Sequence, residues 1–300
     1  MARVNSARSI ETSVGSAIGW ATDALLRAGS PTPRLDAEVL LAHVTGRDRT
    51  WLLAHPEAGF EEGDAFNAAV ERRAAGEPIA YIRGFKEWRS LRIRSDARAL
   101  IPRPETELVV ATAAVEIASR LEQQPLTVAW DLATGSGAIA LALALDFRHE
   151  LTEGRLRLIA SDISTEALAL AAENFAEHSV AEAVELATSD LLEPAGERLP
   201  RPDVVTANLP YVSSAEVDER VGSLGFEPRI ALDGGPDGLD LLRRLLADVP
   251  LHAAPGATVI LELGVDQVDA VRGLVPIGAS VSVVPDPAGL DRVMRIDLPQ

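Results

Sequence analysis

The 300-residue chain is 47% hydrophobic, carries a formal net charge of −17 and contains no cysteine. That apolar content with regular patterning excludes a disordered protein, and the missing thiols exclude disulfides and thiolate metal sites, which fits a reducing compartment. The length has room for one large domain or two ordinary ones.

The first fifteen residues hold no long apolar core, so they do not read as a secretory signal. From Ile10, the residues Val14, Ile18, Ala21, Leu25 and Leu26 recur at helical spacing, up to the breaker Gly29-Ser30-Pro31. A second helix sets Leu35, Val39, Leu40 and Val44 on one face and stops at Gly46. Thr50 is placed to cap a short third helix carrying Trp51, Leu52 and Leu53, and residues 61–74 form a fourth with Phe66, Ala69 and Val70 inward. Residues 1–75 are therefore expected to form a small helical bundle that recognises a partner or packs on its neighbour. His43 and His55 have no clustered partners and read as structural.

Residues 76–100 read as a linker and hairpin, with strands at Ile79–Ile82 and Ser90–Ile93. Charge shifts here: residues 1–83 hold 9 Lys and Arg against 11 Asp and Glu, the remainder 19 against 34. A duplex-binding protein shows a basic face, and none is visible, so no direct nucleic-acid partner is expected; an acidic surface suits a protein or cationic partner. The catalytic region is expected over 101–300. It opens on Ile101-Pro102-Arg103-Pro104-Glu105-Thr106-Glu107 and a helix to about Leu121, with Arg103 held between two prolines and aimed at a carboxylate or carbonyl near the site.

Thr127–Leu132 reads as a strand running into Ala133-Thr134-Gly135-Ser136-Gly137 and a helix over Ala138–Asp146. A small-residue loop between strand and helix lets a ligand approach the backbone beside a helix N-terminus. The helix holds the longest apolar run, Ala138 to Leu145, far too short to cross a bilayer, and a soluble cytoplasmic protein without membrane partner is expected. The next strand, Arg157–Ser161, ends at Asp162, placed to hold a ribose diol. These two features imply a nucleoside-containing cofactor. After a strand at Ala183–Ala187, Asp190 either accepts from an adenine amino group, with Leu191 packed on the ring, or caps a helix; the sequence leaves both open.

The apolar run Val204–Ala207 reads as a buried strand, and Asn208-Leu209-Pro210-Tyr211 follows it directly. Pro210 cannot continue a ladder, so the backbone turns out of the sheet and the Asn208 amide, Leu209 carbonyl and Tyr211 ring converge at a strand's carboxyl end, where ligands bind in open α/β sheets. Two carbonyl acceptors and a flat ring suit a planar –NH2 group; taken alone, the motif reads equally as a plain strand-to-loop turn, since Asn and Pro are common turn formers. A turn-rich run at Asp233–Gly238, a helix through Leu246, a strand at Ala257–Leu263, a helix at Val265–Val271 and two strands near Ser280–Val284 and Arg292–Ile296 complete a doubly wound α/β sheet closed by a strand pair.

Together, the proline-flanked Arg103 stretch, Asp131–Gly137, Asp162 and Asn208–Tyr211 resemble the release-factor glutamine methyltransferases, the HemK/PrmC family. Leu35-Asp36-Ala37-Glu38, residues 51–56, Glu227-Pro228 and Asp237-Gly238-Leu239-Asp240 extend the resemblance along nearly the whole chain. It implies a class I S-adenosylmethionine-dependent methyltransferase: a Rossmann-like doubly wound sheet with an antiparallel terminal strand, plus the N-terminal bundle. The implied reaction methylates N5 of the glutamine in the Gly-Gly-Gln tripeptide of class 1 peptide-chain release factors, by a monomer. The implied catalytic residues are Asn208, Leu209, Pro210 and Tyr211. Ala133, Thr134, Gly135, Ser136, Gly137, Asp162, Asp190, Leu191 and Asn208 would bind the cofactor; Asn208 to Tyr211 with Arg103 and Glu105 would bind substrate. The chain departs from the family pattern twice, with Ala133 for the loop's first glycine and Leu209 for the first proline of Asn-Pro-Pro-Tyr. A ribosomal-protein glutamine methyltransferase and an adenine-N6 nucleic-acid methyltransferase share parts of this pattern, and a silent nucleoside-binding module is the alternative outside enzymes.

Overall fold

A computed structural model describes residues 13–193, 198–219 and 222–300. It contains two compact units, one running to Gly84 and counting the turn Gly222–Phe226 with it, the other beginning at Phe85. Ile10, the expected start of the first helix, lies outside the described residues.

Among the described residues, the first unit holds five α-helices: α1 (Val14–Arg27), α2 (Pro33–Thr45), α3 (Arg49–Ala54), α4 (Gly63–Ala74) and α5 (Ile79–Arg83). Ser13 caps α1 by accepting the Ser16 N–H, and Gly46 ends α2 in the left-handed region. Asp48, not Thr50, caps α3, because its carboxylate accepts the Trp51 N–H at 2.7 Å. The core joins Val14, Ile18, Ala21 and Leu25 to Ala37, Leu40, Leu41, Leu52, Phe66 and Val70. Leu26 and Leu35, expected inward, are exposed. The buried face of α2 instead includes Asp36 and Glu38, whose charges are met locally. Asp36 accepts the Ser30 and Thr32 hydroxyls and Arg73, and Glu38 holds Arg34 and Arg49. His55 stacks on Trp51 and contacts its carbonyl at 2.9 Å.

Ile79–Arg83 is a helix, not the expected strand: Pro78 stands at its N-cap and left-handed Gly84 ends it, and so short an apolar run carries no periodicity to separate the two forms. The hairpin sits later, β1 (Phe85–Trp88) against β2 (Leu91–Arg94), joined by Arg89-Ser90 with both residues at positive φ, as a two-residue type I′ connection requires.

In the second unit, a 3-10 turn at Pro104–Thr106 leads into α6 (Glu107–Gln123). Then follow β3 (Thr127–Leu132), α7 (Ala138–Asp146), α8 (Arg148–Thr152), β4 (Leu156–Asp162), α9 (Thr165–Glu177), β5 (Val184–Thr188) and β6 (Val204–Ala207). The last elements are α10 (Ser214–Asp218), α11 (Asp240–His252), β7 (Thr258–Glu262), α12 (Val268–Arg272), β8 (Ser280–Pro285) and β9 (Asp291–Asp297). Among the described residues, seven strands form one sheet in the order β5-β4-β3-β6-β7-β9-β8; the first five are parallel, and β9 is antiparallel to both its neighbours.

Strand alternation splits the core into two layers. Ala129, Leu158, Ala160 and Val204 face Val109, Ile117, Ile139, Leu143 and Phe175 of α6, α7 and α9; Val128, Trp130, Leu132, Ile159 and Val205 face Leu242, Leu245 and Val249 of α11 and Val271 of α12. Helix α7 is buried all round from Ala138 to Ala144, so the loop before it starts from a fixed platform. Strand order reverses between β3 and β6, which places the carboxyl ends of β3, β4 and β6 around one crevice. No described helix is long and apolar enough to cross a membrane.

Candidate active site

A cavity of about 860 Å³ occupies that crevice. Ala133, Thr134, Gly135 and Ser136 line it from the end of β3, Asp162 from β4, Asp190 and Leu191 from beyond β5, and Asn208, Leu209 and Pro210 from β6. The sequence thus names residues more than seventy positions apart that the sheet brings to one wall. Gly137, Tyr211, Arg103 and Glu105 are not among the lining residues.

The loop after β3 is held from below and behind. Asp131 is fully buried and accepts the Thr134 hydroxyl at 2.6 Å and the Thr206 hydroxyl at 2.9 Å. Burial outweighs these bonds and pushes its carboxyl up to about 7. Behind the loop, the buried Asn174 side chain donates to the Ser136 carbonyl at 2.8 Å and accepts the Arg94 N–H at 2.7 Å. Ala133 stands at φ 51 and Gly135 at φ 57, turning the backbone sharply past the cavity.

Asp162 accepts the Gly135 N–H on one carboxylate oxygen and the Ser164 N–H on the other, each at 2.9 Å. The two carboxylate oxygens together offer about four acceptor sites, so capacity for a hydroxyl remains beside these backbone donors. Burial raises this carboxyl too. Asp190 is ion-paired with Arg244 at 2.8 Å, and a turn rather than a helix follows it, so it caps none. Leu191, at φ 54, is a second non-glycine cavity residue in the left-handed region.

Asn208 Nδ2 donates to Thr106 Oγ1 at 3.2 Å, and that hydroxyl donates to Glu262 at 2.6 Å. Tyr211 also points its hydroxyl at Glu262, at 3.4 Å, and burial beside this acid pushes the phenol up to about 12. Arg103 reaches this cluster through its charge on the phenol, and Glu105 through its charge on both the phenol and Glu262. The Arg103 guanidinium is committed to buried Glu227 at 2.5 Å, and its carbonyl accepts from Trp88. The sequence reading counts neither Thr106 nor Glu262 among its site residues; the signal for Glu262 is an acid ending a strand, as at Asp162.

The backbone after Pro210 is braced by the glycine-rich segment. Val212 N–H donates to the Leu232 carbonyl, Gly234 N–H to Val212 and Ser214 N–H to Gly235, a short parallel pairing. A Cβ on Gly234 would stand 2.5 Å from the Pro210 carbonyl, so only glycine allows this approach.

Residues 16–84 match the PrmC N-terminal domain family. The whole chain is similar to the release factor glutamine methyltransferase of Moorella thermoacetica, 41% identical over 283 residues that cover 92% of this chain and 95% of that one. The enzyme of the same name from Rhodopirellula baltica is 40% identical over 250 residues, 81% of each chain. The chain belongs to the release factor glutamine methyltransferase family. The solved catalytic domain of hMettl16 in complex with MAT2A 3′UTR hairpin 6 shares the fold at TM-score 0.50, covering 78% of this chain and 80% of that one at 12% identity.

Seen as a glutamine methyltransferase of this family, the protein accommodates both of its departures. The Ala133 methyl sits on a left-handed backbone at the cavity edge. The Leu209 side chain is buried in the core layer against α11 and α12, which anchors the turn that proline would otherwise stiffen.

Proposed function

We propose that this enzyme transfers a methyl group from S-adenosylmethionine to the side-chain amide nitrogen of the glutamine in the Gly-Gly-Gln tripeptide of class 1 release factors. Family membership supports methylation of a release factor glutamine. The observation that carries the finer statement is the commitment of Asn208 Nδ2 to Thr106, which leaves Oδ1 as the acceptor on the wall shared with the Ala133–Ser136 loop and Asp162.

The cavity's donor set fits the cofactor. Asp162 retains acceptor capacity for a ribose diol, Leu191 offers an apolar face for a base, and the 133–136 backbone gives close approach. When bound, S-adenosylmethionine supplies an electrophilic methyl group. The chain's part is to make a poor nucleophile competent, since an amide lone pair is delocalised into its carbonyl. Asn208 Oδ1 and the Leu209 carbonyl each accept one substrate N–H and hold the nitrogen in line. As positive charge develops on that nitrogen, both acceptors bind it more tightly than in the ground state, and after transfer the surplus N–H proton leaves to water. Every group invoked comes from one chain, so a monomer suffices, and a release factor substrate puts the work in the cytoplasm.

The test incubates the full-length enzyme with labelled S-adenosylmethionine and a class 1 release factor and locates the methyl group by mass spectrometry. The expected product carries it on the Gly-Gly-Gln glutamine, and Asn208→Ala lowers kcat by ~10²–10³. Methylation elsewhere, or a wild-type rate in Asn208→Ala, overturns the assignment.

A further inference from the structure

We infer that Thr106 and Glu262 are positioning residues that fix the hydrogen-bond polarity of Asn208, so that its amide oxygen, not its NH2, faces the substrate amide. The inference rests on the amide-clamp mechanism proposed above.

The supply of hydroxyl protons sets the polarity of this cluster. Glu262 ends β7 with 2% of its surface exposed, and as a carboxylate it only accepts. Thr106, buried in the 3-10 turn before α6, has a single hydroxyl proton, and the 2.6 Å bond gives it to Glu262 Oε2. Its oxygen can then meet Asn208 only as an acceptor, so Asn208 must present Nδ2, as it does at 3.2 Å. With its nitrogen held, Oδ1 is left for the substrate. The reverse orientation would set an N–H donor against the donors of a substrate –NH2, a repulsive pairing in a site where charge is meant to be drawn off nitrogen. Tyr211 donates to the second oxygen of Glu262. Burial raises this carboxyl and Glu105 adds to that, while the two hydroxyl donors Thr106 and Tyr211 and the charge of Arg292 favour the carboxylate. Through one acceptor-only acid, a direction is imposed on a chain of three side chains separated by 102 and 156 positions in sequence.

Glu262→Gln is the discriminating variant. A carboxamide can donate to Thr106 Oγ1 and release the hydroxyl proton toward Asn208, which then turns its oxygen inward and its NH2 to the substrate. The expected result is a fall in kcat of about tenfold or more, with KM for the release factor and calorimetric affinity for S-adenosylhomocysteine each within about threefold. Thr106→Val should do the same and Thr106→Ser should restore most of the rate. In an Asn208→Ala background, Glu262→Gln should cost nothing further, because it acts only through the missing amide. A wild-type rate for Glu262→Gln, with Asn208→Ala inactive, overturns the relay and leaves the amide clamp standing. An undiminished Asn208→Ala rate overturns the clamp itself. An equal loss from Glu262→Gln in both backgrounds makes Glu262 merely structural and also overturns the relay. Should Glu262→Gln fail to fold, the Thr106→Val and Thr106→Ser pair decides alone: equal rates in the two sink the proposal.

Discussion

The ring of Phe175 lies where a side chain on Gly137 would have to stand: a Cβ there would be 2.7 Å from Cε1 and 2.9 Å from Cζ. Gly137 is also at φ 80, the N-cap of α7. Gly137→Ala therefore combines a left-handed alanine with an overpacked core contact. It should destabilise the enzyme by about 2–4 kcal/mol, visible as a lower urea midpoint at unchanged slope. A midpoint equal to wild type would mean that α9 gives way freely.

Ala133 is the opposite case. It holds φ 51 with a methyl group where glycine would be unstrained. Ala133→Gly should raise unfolding stability by about 0.5–1 kcal/mol, the strain released less the added freedom of the unfolded chain. Thermal unfolding of the two proteins side by side measures it; a lower Tm would show the strained alanine to be packed too well to lose.

Asp131 gives stability a pH dependence whose sign can be worked out. Its carboxyl ionises near 3.8 when unfolded and at about 7 when folded. Its contribution is thus fully present below about pH 4 and is lost as pH rises toward 7. Unfolding free energies of wild type and Asp131→Asn from urea melts, compared from pH 4 to 8, should shift in favour of the asparagine variant by a few kcal/mol across that window. A difference independent of pH would place the titration elsewhere.

Asp162→Ala removes the acceptor of the Gly135 and Ser164 N–H groups as well as the carboxylate facing the cavity. Calorimetry should show S-adenosylmethionine binding weakened by about 1–3 kcal/mol. Unchanged affinity would move the ribose contact to another group.

Much of the catalytic sheet is legible in the sequence because its central strands β3, β6 and β7 are buried on both faces and its turns carry their own chemistry. β3, α7 and β6 fall where apolar runs meet the small-residue loop and Asn208-Leu209-Pro210. What escapes is what depends on tertiary partners. Ile79–Arg83 has no period long enough to identify it, and the buried face of α2 includes two acids because Arg73, Arg34 and Arg49 come to meet them. Glu262 ends an ordinary-looking strand; its role exists only once β7 lies beside β6 and the Thr106 turn closes over both. Arg103 shows the converse: its setting between two prolines points to a carboxylate or carbonyl partner, and its guanidinium meets the carboxylate of Glu227.

Asn174 holds Arg94 of the hairpin with its oxygen and Ser136 of the cavity loop with its nitrogen. One buried amide therefore stands between solvent and the Arg94 N–H, and that hydrogen can exchange only when the amide's grip opens. A molecule that fastens the loop keeps the grip shut. Deuterium uptake at Arg94, on a strand that lines no part of the cavity, then becomes a clock for events at the loop: slow when the loop is held, fast when it is released.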